Sequence, residues 1–300
     1  MVNKSSGAAL LLVLWLVAAM SLIVLSASKH VRFKTRDMAI HLEQLKATPV
    51  LDGVVQLVSG QLLKSREIAR RYHWFQIQFG TLNVWIEVTP AAGLIDLNVA
   101  TPELIAAVLH RVGMMRVDQA QIMAARIKDW IDPDGEPTGP GGAEMPQYRA
   151  ASWPSAPRNG PMEDPAELTS VMGMTSDAYE TIKPFLGLNG QQKLDIEAAP
   201  HALIDALTGQ SGLGLRLQSL GATDKAALIS QSGGRDFFVT SGSSSGEVRL
   251  RAYLYANDGL WWMREAWVSL STRPDSPTPW TTLMLDSIQR VALPFQDIKP

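Results

Sequence analysis

The chain has 300 residues, 46% of them hydrophobic, with 27 basic and 29 acidic side chains and a formal charge of −2. That balance offers no overall basic excess of the kind that nucleic-acid binding draws on. The absence of cysteine excludes disulfides, thiolate metal sites and cysteine nucleophiles, and it leaves the compartment open.

Ala8 to Leu25 is an apolar run of 18 residues broken only by Ser21. At 1.5 Å per residue it reaches about 27 Å, close to the hydrocarbon thickness of a bilayer. It exceeds the h-region of an ordinary signal peptide, although Ser26-Ala27-Ser28 would permit conventional cleavage. The length favours an anchor. Lys29, Arg32, Lys34 and Arg36 follow the run, so charge alone would put the large C-terminal part in the cytoplasm. That rule applies best to short loops, and a domain of this size translocates despite it.

From Lys29 to about Arg71 apolar residues recur mostly at three- and four-residue steps. This pattern predicts a long amphipathic helix that continues the anchor, bent near Pro49. "YHWFQIQF" and "LNVWIEV" follow as two strands with hairpin spacing across Gly80-Thr81. Helical patterns dominate from about Pro102 to Ser230, and "DFFVTS", "EVRLRAYLYA" and "LWWMREAWVSL" return to strand character. A helical block therefore splits one sheet.

Inside the block the sequence repeats. "IDLNVATPELIAAV" (95–108) aligns without gaps on "LDIEAAPHALIDAL" (194–207) at an offset of 99, matching Asp96 to Asp195, Ala100 to Ala199, Leu104 to Leu203 and Ile105 to Ile204. Each copy reads as a short extended piece leading into a helix, with Pro102 at N1 of the first helix and Pro200 at the start of the second. Further on, Asp164 and Glu167 have capping-box spacing with Pro165 at N1, and Ser176 is positioned to cap the next helix. The stretch reads as helix, Val-Met-Gly-Met turn, helix.

A helix pair around such a turn is one way to grip DNA phosphates. From Thr101 to Gly190, however, 7 basic residues face 12 acidic ones, a net charge of 7 − 12 = −5. Phosphate binding rests on neutralisation by Lys and Arg, so an acidic interaction module is the better description. "DWIDPDGEPTGPGGAE" concentrates Asp129, Asp132, Asp134, Glu136 and Glu144 around a Pro/Gly-rich loop. Asp-x-Asp-Gly segments supply closely spaced oxygens for hard cations such as calcium. The EF-hand register fails, because Pro137 stands where glycine is needed and Ala143 where the bidentate glutamate would stand. Two readings remain: a solvated acidic loop, or a calcium site outside the EF-hand class formed by Asp132, Asp134, Glu136 and Glu144. Catalysis is not expected. The five histidines are scattered with no His-Glu-x-x-His pair, and "GQSGL" and "GLGLRL" miss the spacings of a nucleophile elbow and a dinucleotide fingerprint.

With these motifs in view, the chain resembles the K-type minor pseudopilins of bacterial type II secretion systems, the general secretion pathway protein K family. "GAALLLVLW" is similar to a prepilin processing site, "EVTPAAGLIDLNVATPELIAAVL" to the family's strand-to-helix segment, and "DWIDPDGEP", "YRA" and "RNGPMEDPAELTSVMGMT" to its central blocks. The resemblance implies a single-pass inner-membrane protein with its bulk in the periplasm, cut by the prepilin peptidase after Gly7 and methylated on Ala8. Ala8 departs from the Phe or Met with which many pilin-like proteins begin. In the mature chain Leu12 is the fifth residue, where most pseudopilins carry a glutamate and K-type members do not. An unpaired carboxylate at the centre of a membrane helix costs about 2.5–3.5 kcal/mol.

The expected architecture is α+β, with a pilin-like N-terminal transmembrane and amphipathic helix on an antiparallel sheet and a large helical insertion of two related, SAM-like or helix-hairpin-helix-like modules. Its expected divisions are a leader over 1–7, a transmembrane helix over 8–28, the pseudopilin helix and first strands over 29–93, a first module over 94–190, a second over 191–233, and C-terminal strands over 234–300. The implied partners are the I- and J-type minor pseudopilins at the pseudopilus tip, the major pseudopilin, the prepilin peptidase and exported proteins, with no nucleic acid. The implied role is assembly of the pseudopilus in protein secretion, with calcium as the one candidate cofactor. A membrane-anchored periplasmic binding module, for DNA uptake for example, is the alternative.

Overall fold

The computed structural model describes residues 6–188, 190–240, 246–256, 259–271 and 278–292, and in its first helix the side chains of 10–23, 26 and everything from 37 onward. That helix, α1 (Ser6–Lys64), runs 59 residues and continues helical through Pro49. It stops short of Arg71, the expected end, and a 3-10 turn at Ile68–Arg70 buries Ala69 before the first strand.

The lower half of α1 is ordered by burial of one stripe. Ala47, Leu51, Val54, Val55, Val58 and Leu62 are all buried and pack with Val84, Ile86, Val88, Val248, Leu250, Ala252 and Ala266. Each of the larger side chains contributes roughly 1.5–3 kcal/mol from burial, so this stripe fixes the helix on the sheet. Asp52 adds an ion pair to Arg264 at 2.7 Å.

The sheet is antiparallel. β1 (His73–Phe79) and β2 (Leu82–Pro90) form the expected hairpin, closed by Gly80 at φ +63°. After β2 the chain leaves the sheet, and β7 (Glu247–Tyr255), β8 (Trp261–Ser269), β9 (Thr281–Leu285) and β10 (Gln289–Val291) complete it in the order β1-β2-β7-β8-β10, with β9 also on β8. β2 pairs directly with β7, so the helical block is an insertion between neighbouring strands. β9 and β10 were not expected from sequence.

The face of the sheet turned away from α1 carries a buried charge network. Arg251 contacts Glu265 at 2.5 Å and Glu87 at 3.6 Å, and the Tyr253 hydroxyl donates to Glu87 at 3.4 Å. Burial and the Glu87 carboxylate push Tyr253 far above the ordinary phenol range. Arg249, fully buried beside Trp267, donates to the Leu186 carbonyl and joins this face to the insertion.

The repeat detected in sequence is a repeat in structure. β3 (Ile95–Asp96) leads through a turn into α2 (Pro102–Arg111), and β5 (Leu194–Asp195) leads through a matching turn into α6 (His201–Thr208). Asp96 Oδ1 accepts the Asn98 amide at 2.9 Å, and Asp195 Oδ1 accepts the Glu197 amide at 2.8 Å. The Ala100 amide donates to the Asp96 carbonyl as the Ala199 amide does to that of Asp195. Such side-chain-to-backbone bonds substitute for a backbone turn, which is why the aspartates recur. Each copy closes with a parallel two-stranded pairing: β3 on β4 (Leu186–Gly187), and β5 on β6 (Phe238–Val239). The second module therefore extends through Val239. "DFFVTS", read as part of the tail, belongs to this module and not to the main sheet.

α3 (Val117–Ile131), α4 (Met145–Ala150) and α5 (Ser176–Ile182) fill out the first module, and α7 (Leu213–Gln218) and α8 (Ala222–Gln231) the second. One continuous apolar core, including Leu104, Ile105, Ile127, Leu168, Leu203, Ile204 and Phe238, runs through both.

Candidate cation site

Two of the four predicted ligands are brought together, and a third acid joins them. Asp129 lies in the last turn of α3, Asp132 is its C-cap residue and Glu144 is the N-cap residue of α4. Oxygen atoms of Asp129, Asp132 and Glu144 all lie within 4.8 Å of one another. Asp134 and Glu136 stay outside and exposed. Asp134 Oδ1 accepts the Glu136 amide at 2.9 Å, so its carboxylate shapes the loop, and its carbonyl accepts from the Asn159 side chain at 3.1 Å.

Loop closure explains why the cluster is buried. Asp129, fully buried, accepts the Thr138 amide at 2.8 Å and the Ala143 amide at 2.5 Å, folding 138–143 back over the end of α3. Gly142 is required at the point of closest approach, since a Cβ there would collide with the Asp129 carboxylate and the Thr138 amide. Arg126 donates to the Gly141 carbonyl at 3.2 Å and to the Met172 carbonyl at 2.8 Å, so its charge is committed to backbone oxygens. Among the described residues no Lys or Arg forms an ion pair with the three carboxylates.

The electrostatic consequence is direct. Glu144 is 1% exposed, and its Oε1, like Oδ1 of Asp132, is buried without a hydrogen-bond partner. Burial, reinforced by Asp129, Asp132 and Asp134, pushes the Glu144 carboxyl up to about 7. Burial, then Asp134 and Asp129, also raises Asp132. A buried carboxylate group of this kind must take up a proton or a cation. All-oxygen donors suit a hard divalent ion, which carbonyls and water would complete to six or more ligands.

Asp129 is the member that spacing missed. It sits one helical turn before Asp132, and only its helix-terminal position, where it can collect two loop amides, marks it as inward-facing. The Asp164–Glu167 capping box and Pro165 at N1 form as expected, but the segment Pro165–Ser170 is a 3-10 turn and not an α-helix. Thr175, not Ser176, caps α5, accepting the Ala178 amide at 3.3 Å. The Met172 amide of the intervening turn donates to the Tyr148 hydroxyl and the Met174 amide to the Val171 carbonyl, so these amides hold the turn and do not face a phosphate. Gly7 and Ala8 stand at the start of α1, and their side-chain surroundings lie outside the described residues.

Residues 95–189, which include the whole acidic cluster, match the family profile for protein K of the type II secretion system. The match falls on the first helical module and leaves the rest of the chain outside it. It takes in the central motifs on which the resemblance was read. A type II secretion system protein K of Pectobacterium carotovorum subsp. carotovorum is 38% identical over 69 residues, covering 23% of this chain and 21% of that protein. One from Klebsiella pneumoniae is 23% identical over 218 residues, covering 65% of this chain and 66% of its own. The matched region thus spans about a fifth and just under two thirds of those relatives. In solved structures the chain is similar to one in the GspK-GspI-GspJ complex from enterotoxigenic Escherichia coli. The TM-score is 0.55 at 18% identity, over 85% of this chain and 99% of that one, which establishes the shared α+β fold.

Proposed function

We propose that this chain is a minor pseudopilin that caps a short periplasmic pseudopilus with I- and J-type partners and so supports protein export. The observation that carries the reading is the coupling of a protein K domain to a pilin-like body: a long helix with one stripe on an antiparallel sheet, and a bulky insertion between β2 and β7. Away from that stripe α1 is apolar yet open. Leu10, Leu14 and Trp15 are 74%, 67% and 77% exposed, and Met38, Leu42 and Leu45 are 69%, 57% and 70% exposed further down. Such a surface suits bilayer above and neighbouring helices below.

Among the described residues no helix is long and apolar enough to cross a membrane; the apolar run from Ala8 to Leu25 includes side chains outside that set. In this reading the run is retained as a single-pass inner-membrane anchor after the prepilin peptidase cuts behind Gly7, Ala8 is methylated, and the remainder is periplasmic. Leu12 supplies no carboxylate for the amine of a subunit ahead, as befits a subunit with none ahead of it. An insertion of more than a hundred residues has room at a filament end and would collide along its side. The role is structural and not catalytic, and calcium held by Asp129, Asp132 and Glu144 stabilises the first module.

Envelope membranes test this. Purification of the full chain should bring down I-type, J-type and major pseudopilins, identified by mass, and its own intact mass should begin at Ala8. A mature start near Ser28, or recovery without any pseudopilin, would overturn the proposal.

A further inference from the structure

At the seam between the pilin body and the second module lies a half-open cavity of about 290 Å³. The 3-10 turn and β1 supply one wall, and the Asp195–Ala199 turn, α6, α7 and α8 supply the other. The seam is tightly made. The Tyr72 amide donates to the Glu197 carbonyl at 2.8 Å, and the Tyr72 ring meets His201 edge-on at 4.9 Å. Nothing in the proposed pseudopilin role uses this cavity.

Its lining is cationic around an apolar floor. Lys225, only 7% exposed, donates its ammonium to Glu197 Oε1. Arg71 stands at the mouth with its side chain 56% exposed, reaching Glu197 only at 3.9 Å and the outlying Glu67 at 3.4 Å. Two cations thus face one lining carboxylate, and the guanidinium keeps donors to spare. Glu67 lies outside the cavity and is 85% exposed, so solvent screens it. Asp205, the other acid near His201, is occupied by the Gly212 and Gly214 amides at 2.6 and 2.7 Å.

Two imidazoles complete the polar side. His73 Nδ1 lies 2.9 Å from the Arg71 carbonyl, which can only accept, so this nitrogen carries the proton. Burial lowers the proton affinity of both His73 and His201. An anion arriving beside them would reverse that, drawing a proton onto an imidazole. Ile196 and Leu217 form the floor, and half-exposed Ile68 and the Gln218 amide stand at the rim. The size lies at the small end of ligand sites, enough for one or two residues of a peptide or a compact organic acid.

We infer that this seam cavity binds a carboxylate carried on an apolar group, with Arg71 and Lys225 taking the charge and the aliphatic floor taking the apolar body. The ligand is either the C-terminal residue of a peptide chain or a free organic acid, which share this chemistry.

The full chain in detergent micelles is titrated with acetyl-leucine, its amide, inorganic phosphate and a short peptide ending in leucine, following the His73 and His201 ring signals by NMR. Saturable binding of acetyl-leucine, with both imidazoles titrating at higher pH in the complex, is expected, and the amide should leave the signals in place. Arg71→Gln should weaken binding roughly tenfold or more, as loss of a charged hydrogen bond does, without moving the melting midpoint. Gln218→Glu, an exposed change, should weaken it as well. A peptide at least tenfold tighter than acetyl-leucine assigns the site to a chain terminus, and equal affinity assigns it to a free acid. Absence of saturation, equal binding of acid and amide, phosphate binding as tight as acetyl-leucine, or an Arg71→Gln protein with unchanged affinity would each overturn the inference.

Discussion

Replacing Glu144 by glutamine separates the cost of the acidic cluster from its use. The side chain is 1% exposed, and its carboxyl is pushed from 4.5 up to about 7 by burial and then by Asp129, Asp132 and Asp134. At 1.36 kcal/mol per pH unit the ionised group destabilises the cation-free fold by about 3 kcal/mol at most, and by roughly 1–3 kcal/mol once local water relaxes around it. The sign follows from linkage. With the folded value above the unfolded one, the folded protein holds the extra proton between pH 4.5 and about 7. Stability in chelator is therefore highest below pH 4.5, declines through that window and stays low above it. Glu144→Gln removes the charge while keeping the shape. In chelator at pH 8 it should be more stable than the parent by that roughly 1–3 kcal/mol, and at pH 4 the two should coincide. Calcium closes or reverses that gap, because at a hundredfold excess over Kd the parent gains about 2.7 kcal/mol while the variant has lost a charged ligand. Urea melts followed by tryptophan fluorescence, with chelator and with millimolar calcium, give both comparisons. Coincident midpoints in chelator at pH 8, or an equal calcium shift in both proteins, would refute the reasoning and leave a solvated acidic loop.

Three further outcomes follow from packing. Leu51→Ala, at a fully buried position of the α1 stripe, should cost about 3–5 kcal/mol in the same urea melts. Arg251→Met should cost about 3–5 kcal/mol, because it strands the buried Glu87 carboxylate and the partly buried Glu265 it now joins. Gly93→Ala would drive a Cβ into the Ala198 carbonyl and should loosen the second module from the body, read as faster amide exchange at Tyr72 and Ala199 with the β7–β8 ladder unchanged.

What could be read from sequence was what local chemistry decides. The Gly80-Thr81 hairpin, the Asp164–Glu167 capping box and the duplicated aspartate turns at Asp96 and Asp195 all depend on residues a few positions apart. What escaped depended on distant partners. "DFFVTS" has strand composition wherever it pairs, and only the return of the second module places Phe238 and Val239 beside Leu194 and Asp195. β9 and β10 follow a Ser/Pro/Thr-rich stretch and are short, so their pattern offers little signal without β8 beside them. Thr175 and Ser176 are chemically equivalent caps, and the first won by reaching the Ala178 amide. In the acidic loop, spacing identified Asp132 and Glu144 but could not tell that Asp134 turns onto its own backbone while Asp129 turns inward.

The claim that this chain caps a pseudopilus is tested most directly by stoichiometry. The full chain, extracted in detergent, is mixed with I- and J-type minor pseudopilins and passed through size exclusion with light scattering. The account predicts a stable assembly with one copy of each, this chain failing to polymerise alone. Filaments of this chain by itself, or elution indifferent to both partners, would contradict it.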